Sequence, residues 1–450
     1  MVDYKFKEIN NWSRTLKIGS KVYFPKKYQE IKKLISSSNI NSFSFKAGGC
    51  SYGDCFLNDD CTIDLQSLNK ISKINFKKKT IIVQCGVKIE SLLNFIMPKG
   101  YYIHSVPGAN NATIGGCINS NVHGKDSFKY GPFSNNISSL KIIDSKGRIS
   151  NIKKNSKKFK YAIGTYGLNY LILEAELKLI KIKNFKLLVK TKKFENYKEM
   201  LEYFSLFENE KYDMMGAWVD HFSINGRGIF KAARWTKDKD NDEFKKIDLD
   251  VNNVSKLIIY FLYIIFNKLF IKRIFVKYLN NILFKVSKSQ KKIQHYSDFY
   301  FPQQKYLPEE SKLFPQGKVN IQILLPKKKA KILLYKITKL CHFFKMESWW
   351  LGIKKHKYSQ NFLSFSLDGF DLTIQWSKRF TKKKEFPEFY SRLMKIIISN
   401  KCLIYLTQDI LLDKNRFQKI YPQFKKIIKY KKKNDPKNKF SNIFYKRLFF

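Results

Sequence analysis

The sequence predicts an α+β protein made of two unlike parts, and three observations lead there. Up to about residue 180, short apolar runs alternate with amphipathic stretches and glycine-rich turns; beyond it glycine becomes sparse and longer strand patterns take over. Of the 450 residues, 44% are hydrophobic and 16% aromatic, enough to bury large cores and far too many for a disordered polycation.

In the first part Val22–Phe24 reads as a strand and Tyr28–Ile35 as a helix, followed by strands at Phe43–Lys46, Cys61–Asp64 and Thr80–Cys85. Ile89–Ile96 has the spacing of an amphipathic helix, and Leu140–Asp144 and the long apolar Leu171–Leu179 read as strands. The texture changes near Lys181–Asn184, which sets an expected division into 1–180 and 181–400. In the second part Val319–Leu325 and Phe370–Trp376 read as strands around a helical Ala330–Phe344. Residues 401–450 carry a strand at Leu403–Leu406, a helical run and a basic tail, and suit either part.

Lys+Arg 86 against Asp+Glu 36 leaves a formal charge of +50. Such a field attracts nucleic acid, phosphates and anionic lipid without selectivity. The lysine triplets at Lys77–Lys79, Lys327–Lys329, Lys382–Lys384 and Lys431–Lys433 are scattered along the chain, which points to a general composition bias and not to a specific nucleic-acid site. Seven cysteines, at 50, 55, 61, 85, 117, 341 and 402, are odd in number and unevenly spaced. The opening MVDYKFKEINNW lacks the apolar run of a secretory leader, so a reducing, cytoplasmic setting is expected. Cys50, Cys55 and Cys61 do not have zinc-knuckle gaps, and no metal is expected.

Leu257–Phe266 is uninterrupted apolar sequence followed by Lys268, Lys272, Arg273 and Lys277. A bilayer span needs roughly 20 residues. The segment therefore reads either as a core helix or as an interfacial helix whose aromatics enter a membrane surface while its lysines meet anionic lipid.

Two loops carry the chemistry. Lys46–Asn58, KAGGCSYGDCFLN, gathers Gly48, Gly49 and Gly53 after a strand; Pro107–Lys125, PGANNATIGGCINSNVHGK, gathers Gly108, Gly115 and Gly116 before His123-Gly124-Lys125. Glycines let backbone N–H groups close on a phosphate, although neither loop has the G-x-G-x-x-G of a Rossmann fingerprint.

The pair resembles the FAD-binding (PCMH-type) domain of the vanillyl-alcohol-oxidase-type flavoproteins, and within them the decaprenylphosphoryl-ribose oxidase branch. The branch signatures are G-x-G-R-S-Y-G-D and P-G-x-x-x-x-T-x-G-G-x-I-x-x-x-x-H-G-K. Trp12-Ser13-Arg14, Phe159–Leu168, Val319–Gln322, Leu363–Trp376, Ile404–Asp409, Asp435-Pro436, Phe440-Ser441 and Arg447-Leu448 are similar to further segments of that branch. The resemblance implies a two-subdomain FAD-binding part, a substrate domain with a large antiparallel sheet, and a segment 401–450 returning to the flavin part. It sets Gly48, Gly49, Cys50, Ser51, Tyr52, Gly53, Gly108, Thr113, Ile114, Gly115, Gly116, Asn119, His123, Gly124 and Tyr405 against FAD.

Cys50 stands where the branch has Arg and covalently flavinylated relatives have a linking His, so non-covalent FAD is expected. Thr373 falls at a position often Cys, and Gln408 where the branch carries an active-site Lys. The implied chemistry is oxidation of a sugar or polyol hydroxyl to a keto group, with a lipid-phosphate-linked pentose as one substrate and a keto-sugar reductase as partner. His123 is the candidate base, since imidazole titrates nearest neutrality; Lys125, Tyr52, Gln322, Gln408 and Tyr405 are expected to hold substrate and ring. His104, His221, His295, His342 and His356 read as structural. A soluble sugar-lactone or alditol oxidase, or a non-catalytic membrane- or RNA-binding protein, are the competing readings.

Overall fold

The computed structural model describes residues 3–236, 273–302, 314 and 316–450. Its first sheet contains β1 (Tyr4–Asn10), β2 (Lys17–Tyr23), β3 (Phe43–Lys46) and β4 (Cys61–Asp64) in the order β1-β2-β4-β3. β1 and β2 run antiparallel, the other pairs parallel, and the helix Tyr28–Ser36 makes the crossover while burying Ile31, Leu34 and Ile35. The second sheet contains β5 (Thr80–Gln84), β7 (Ile137–Ile143), β8 (Ile149–Lys153) and β9 (Leu171–Lys178) in the antiparallel order β5-β9-β7-β8, while β6 (Tyr101–Tyr102) pairs separately with β10 (Ile180–Lys181).

The third sheet, with eight strands among the described residues, is antiparallel at every pairing. It is built from β11 (Lys186–Phe194), β12 (Met214–Val219), β13 (Gly228–Trp235), β14 (Gln290–His295), β15 (Lys318–Pro326), β16 (Leu351–His356), β17 (Gly369–Ser377) and β18 (Leu403–Ile404), in the order β14-β11-β13-β12-β16-β17-β15-β18. This is the large antiparallel sheet that the sequence led us to expect.

Strand alternation gives this sheet two chemically opposite faces. Ala217, Phe230, Ile321, Ile323, Ile353, Leu372 and Ile374 point to one side and share a core with the helices Tyr197–Asn209, Ala330–Phe343 and Phe386–Ser399. Each isoleucine, leucine or phenylalanine among them contributes about 1.5–3 kcal/mol by leaving water. The intervening residues, among them Gly216, Lys231, Asn320, Gln322, Lys354 and Asp371, point the other way, toward the loop that carries His123.

Where sequence and structure differ, the cause is weak patterning. β1 was not foreseen because Tyr4 and Phe6 are exposed and the strand is held by pairing with β2 and not by a buried face. β11 was missed because lysines at 186, 190, 192 and 193 interrupt Lys186–Phe194 and mask its buried residues, Leu187, Val189 and Phe194.

Residues 401–450 touch both halves. Phe440 bridges to Phe43 beside the first sheet, and Asn58 donates to the Ser441 carbonyl at 2.9 Å. Phe417, Phe424, Phe444 and Leu448 enter the core under the eight-stranded sheet. The segment 257–277 lies outside the described residues up to Lys272. Beyond it, Arg273 opens the helix Arg273–Val286 with Nε 2.8 Å from Glu347, and Ile274, Tyr278 and Val286 are exposed. Among the described residues no helix is long and apolar enough to cross a membrane.

Candidate active site

The two glycine loops meet. Gly48 sits so close to the second loop that a Cβ there would lie 2.8 Å from the Asn111 carbonyl, and Cys50 Sγ donates to Asn111 Oδ1 at 3.3 Å. A third strip closes on them: Gly53 N donates to the Thr407 carbonyl at 2.8 Å, Ser51 Oγ to the same oxygen at 2.7 Å, and a Cβ at Gly53 would strike the Asp409 carbonyl at 2.8 Å. Arg447 fastens the strip, donating from Nε to Asp54 at 2.8 Å and from Nη1 to Asp409 at 3.0 Å. Sequence reasoning noted Arg447 only as part of a closing motif; nothing in its spacing tells that it joins two carboxylates.

The cradle fits an FAD. The backbone N–H groups of Gly49, Cys50 and Ser51 have no acceptor among the described residues, and Gly49 takes a left-handed φ of 63°. That is the arrangement in which successive amides hold phosphate oxygens. Gly108 has open space where a side chain would be, and Gly116 meets only Thr113 Oγ1 at 3.4 Å. Gly115 differs: a Cβ there would sit 2.9 Å from Cys85 Cβ, so its role is close packing of the helix Ile114–Asn119 on Cys85. Among the described residues Asn119 Oδ1 is buried without a hydrogen-bond partner. Burial pushes the Cys50 thiol up to about 12, so the loop holds no thiolate to attack a ring.

Beside the cradle, His123 is 7% exposed and meets the polar face of the large sheet. Gln322 Nε2 lies 3.2 Å from its Nε2, and Lys354 Nζ donates to its Nδ1 at 3.2 Å. The rings of Tyr405, Phe365 and His356 surround it at centroid distances of 5.1, 5.5 and 4.6 Å. Behind them Asp371, fully buried, accepts from the Gln322 amide and lies 3.2 Å from His356 Nε2 and 3.6 Å from Lys354 Nζ. Burial, then Lys354 and His356, holds His123 well below its ordinary range and so uncharged. Burial alone would raise the Asp371 carboxyl, but Lys354 and His356 outweigh it and keep it ionised.

The structure therefore gathers His123, Gln322 and Tyr405, as the sequence suggested, with three residues it did not single out. Lys354 and Asp371 were missed because they come from separate strands and carry no motif. His356, set aside as structural, belongs to the same cluster. The remaining candidates stand apart. Gln408 accepts from Asn320 Nδ2 at 3.4 Å and meets the cluster through its backbone N–H, which donates to the Tyr405 carbonyl at 3.0 Å, and Tyr52 lies under Lys318 Nζ at 4.7 Å. Lys125 departs most from expectation: its Nζ donates to the carbonyls of Phe299 and Tyr300, pinning the helix Tyr296–Tyr300 onto the loop. His123, His356 and Asp371 bring ligand atoms within 4.8 Å of one another, but the Gln322 amide nitrogen sits between His123 and Asp371, where an ion would have to be.

A family model described as an FAD binding domain matches residues 20–153. The chain is 22% identical over 414 residues to decaprenylphosphoryl-beta-D-ribose oxidase of Mycolicibacterium smegmatis, covering 89% of this chain and 87% of that one. It is 29% identical over 135 residues to D-2-hydroxyglutarate dehydrogenase of Haemophilus influenzae, covering 28% of this chain and 13% of that one. To D-arabinono-1,4-lactone oxidase of Saccharomyces cerevisiae it is 24% identical over 203 residues, 43% of this chain and 38% of that one.

Proposed function

We propose that this chain, an FAD-dependent oxidoreductase acting on CH–OH groups, oxidises a sugar or polyol hydroxyl to a keto group, with a phosphate-linked pentose on a lipid as the substrate. The observation that carries the reading is the join of cradle and sheet: the glycine loops present unpaired amides, and the His123 cluster faces them with a proton acceptor and a cation. The match to the ribose oxidase supports it because that match runs through both halves of the chain, whereas the lactone oxidase match covers 43%.

Held by the backbone amides of Gly49, Cys50 and Ser51, an FAD would supply the hydride acceptor for the carbinol carbon. The chain's own residues do the rest. His123, held in its unprotonated form, receives the hydroxyl proton after substrate displaces one of its two nitrogen contacts. Lys354 places positive charge beside the oxygen as it loses that proton, and Asp371 holds Lys354 and Gln322 in place. Gln408 supplies no charge, so the cation comes from β16. The cofactor is held without a covalent link, a keto-sugar reductase consumes the product, and the exposed Ile274 and Tyr278, which follow the apolar and basic segment in sequence, would meet a membrane surface.

The test is anaerobic mixing of the purified yellow protein with lipid-linked pentose, free sugars, lactones and alditols. Flavin bleaching by a pentose phosphate or its lipid form supports the reading; bleaching by free lactones or alditols alone moves the substrate to soluble sugars. Acid precipitation should release the flavin into the supernatant.

A further inference from the structure

The polar face of the large sheet carries more positive charge than its carboxylate balances. Lys231 on β13 pairs in register with Gly216 on β12, and Ala217 pairs with Ile353, which puts Lys354 on the far side of Gly216. The two lysines thus flank a residue with no side chain, their Cα atoms roughly 10 Å apart at the usual strand spacing. A Cβ at Gly216 would meet nothing nearer than the Ile353 carbonyl at 3.7 Å and Lys354 Cγ at 3.9 Å, so a notch is open between them. Lys125 lies in the same field: burial first, then Lys231 and Lys354, pushes its pKa well down. Against Lys231 and Lys354 stands Asp371, 3.6 Å from Lys354 and already holding Gln322; Lys231 is exposed and has no ion-pair partner among the described residues. Clustered cations repel unless an anion joins them.

We propose that Lys231, Gly216 and Lys354 form an oxyanion subsite that holds a phosphate or carboxylate group of the substrate beside the carbinol presented to His123. The subsite deepens the function proposed above and rests on it for the identity of its ligand. Gly216 supplies room, Lys354 joins the anion to the catalytic cluster, and Lys231 supplies the second charge. The anionic group fixes which hydroxyl of a multi-hydroxyl substrate meets His123, since two point charges on one side of the notch set its orientation.

Thermal unfolding of the flavin-loaded protein tests this with inorganic phosphate and malonate as probes and chloride at matched ionic strength as control. The expected result is a saturable rise in Tm with one of the probes beyond chloride, because a ligand that binds only the folded state stabilises it. Phosphate alone indicates a phosphate-bearing substrate; malonate alone indicates a hydroxy acid. Gly216→Val has space to fold and fills the notch, so it and Lys231→Met should each raise the apparent dissociation constant at least tenfold, while Lys231→Arg keeps binding. No saturable shift with either probe, or equal shifts in parent, Gly216→Val and Lys231→Met, overturns the subsite. If the probes bind as expected but no sugar, polyol or hydroxy acid bleaches the parent's flavin, the subsite stands and the proposed reaction falls. If the flavin bleaches and the probes fail, only the subsite falls.

Discussion

The glycine cradle and the polar face of the large sheet meet at His123, yet they are made in opposite ways. In the cradle the working atoms are backbone amides, and what matters at Gly48, Gly108 and Gly116 is the missing side chain. On the sheet the backbone is fully committed to strand pairing, and the working atoms are side chains drawn from separate strands: Gln322 from β15, Lys354 and His356 from β16, Asp371 from β17. A cofactor common to many reactions can be held by main chain, which tolerates sequence drift. A particular substrate needs charges at particular places, and these change one strand position at a time.

If this contrast is right, the cradle should break by adding side chains and the sheet face by removing them. The largest effect is expected at Gly115. A valine there would drive its Cβ to 2.9 Å from Cys85 Cβ, and Gly115→Val should give insoluble or unfolded protein, measured as loss of a cooperative thermal transition. Gly116→Val separates folding from binding: with only Thr113 Oγ1 at 3.4 Å in its way, the variant should fold and lose its flavin absorbance. Full flavin content in that variant would remove Gly116 from the cradle.

Asp371→Asn comes next. It leaves His356 and Lys354 without their counter-charge in a buried cluster, and should lower unfolding stability by about 2 kcal/mol, less than for a fully buried pair because Lys354 is 27% exposed. Denaturant titration of the flavin-loaded protein reads this directly; an unchanged midpoint would mean that the carboxylate does not balance the cluster.

The smallest expected effect, taken residue by residue, is at two buried histidines and is read in the pH profile of stability. Burial lowers His221 to about 3, and His123 is lowered as well. An unfolded histidine takes up a proton near pH 6.5 while these folded ones do not, so their contribution is complete above that pH and declines below it, by about 1.4 kcal/mol per pH unit per histidine. Unfolding free energy should therefore fall between pH 6.5 and 5, and His221→Asn should flatten the slope. A profile that is level or rises toward pH 5 contradicts the buried neutral state.

The same contrast explains what could be read from the sequence. Phe43–Lys46, Cys61–Asp64 and Ile89–Ile96 were legible to the residue because their apolar residues recur at strand or helix spacing, Phe43 with Phe45, Cys61 with Ile63, and Ile89 with Leu92, Leu93 and Ile96, and a single charge in each does not mask it. The loops were legible because each gathers its glycines in a contiguous stretch. Lys354 and Asp371 were not, since strand register alone brings them together and register is set by pairing across residues far apart in the chain. In β15 the alternation of Asn320 and Gln322 with Val319, Ile321 and Ile323 looks like a strand with one face in water, but both faces are buried. That polar residues face a second part of the protein is a tertiary fact which no local pattern carries.

The central claim is that the cradle holds FAD and that the sheet's cluster handles the substrate proton. Stopped-flow reduction of the flavin by its best sugar substrate, in parent and His123→Ala, tests it most directly. The account predicts equal flavin content in the two proteins and reduction slowed by about 10²-fold or more in the variant, the contribution of a positioned acid–base group. Equal rates of reduction at equal flavin content would contradict it.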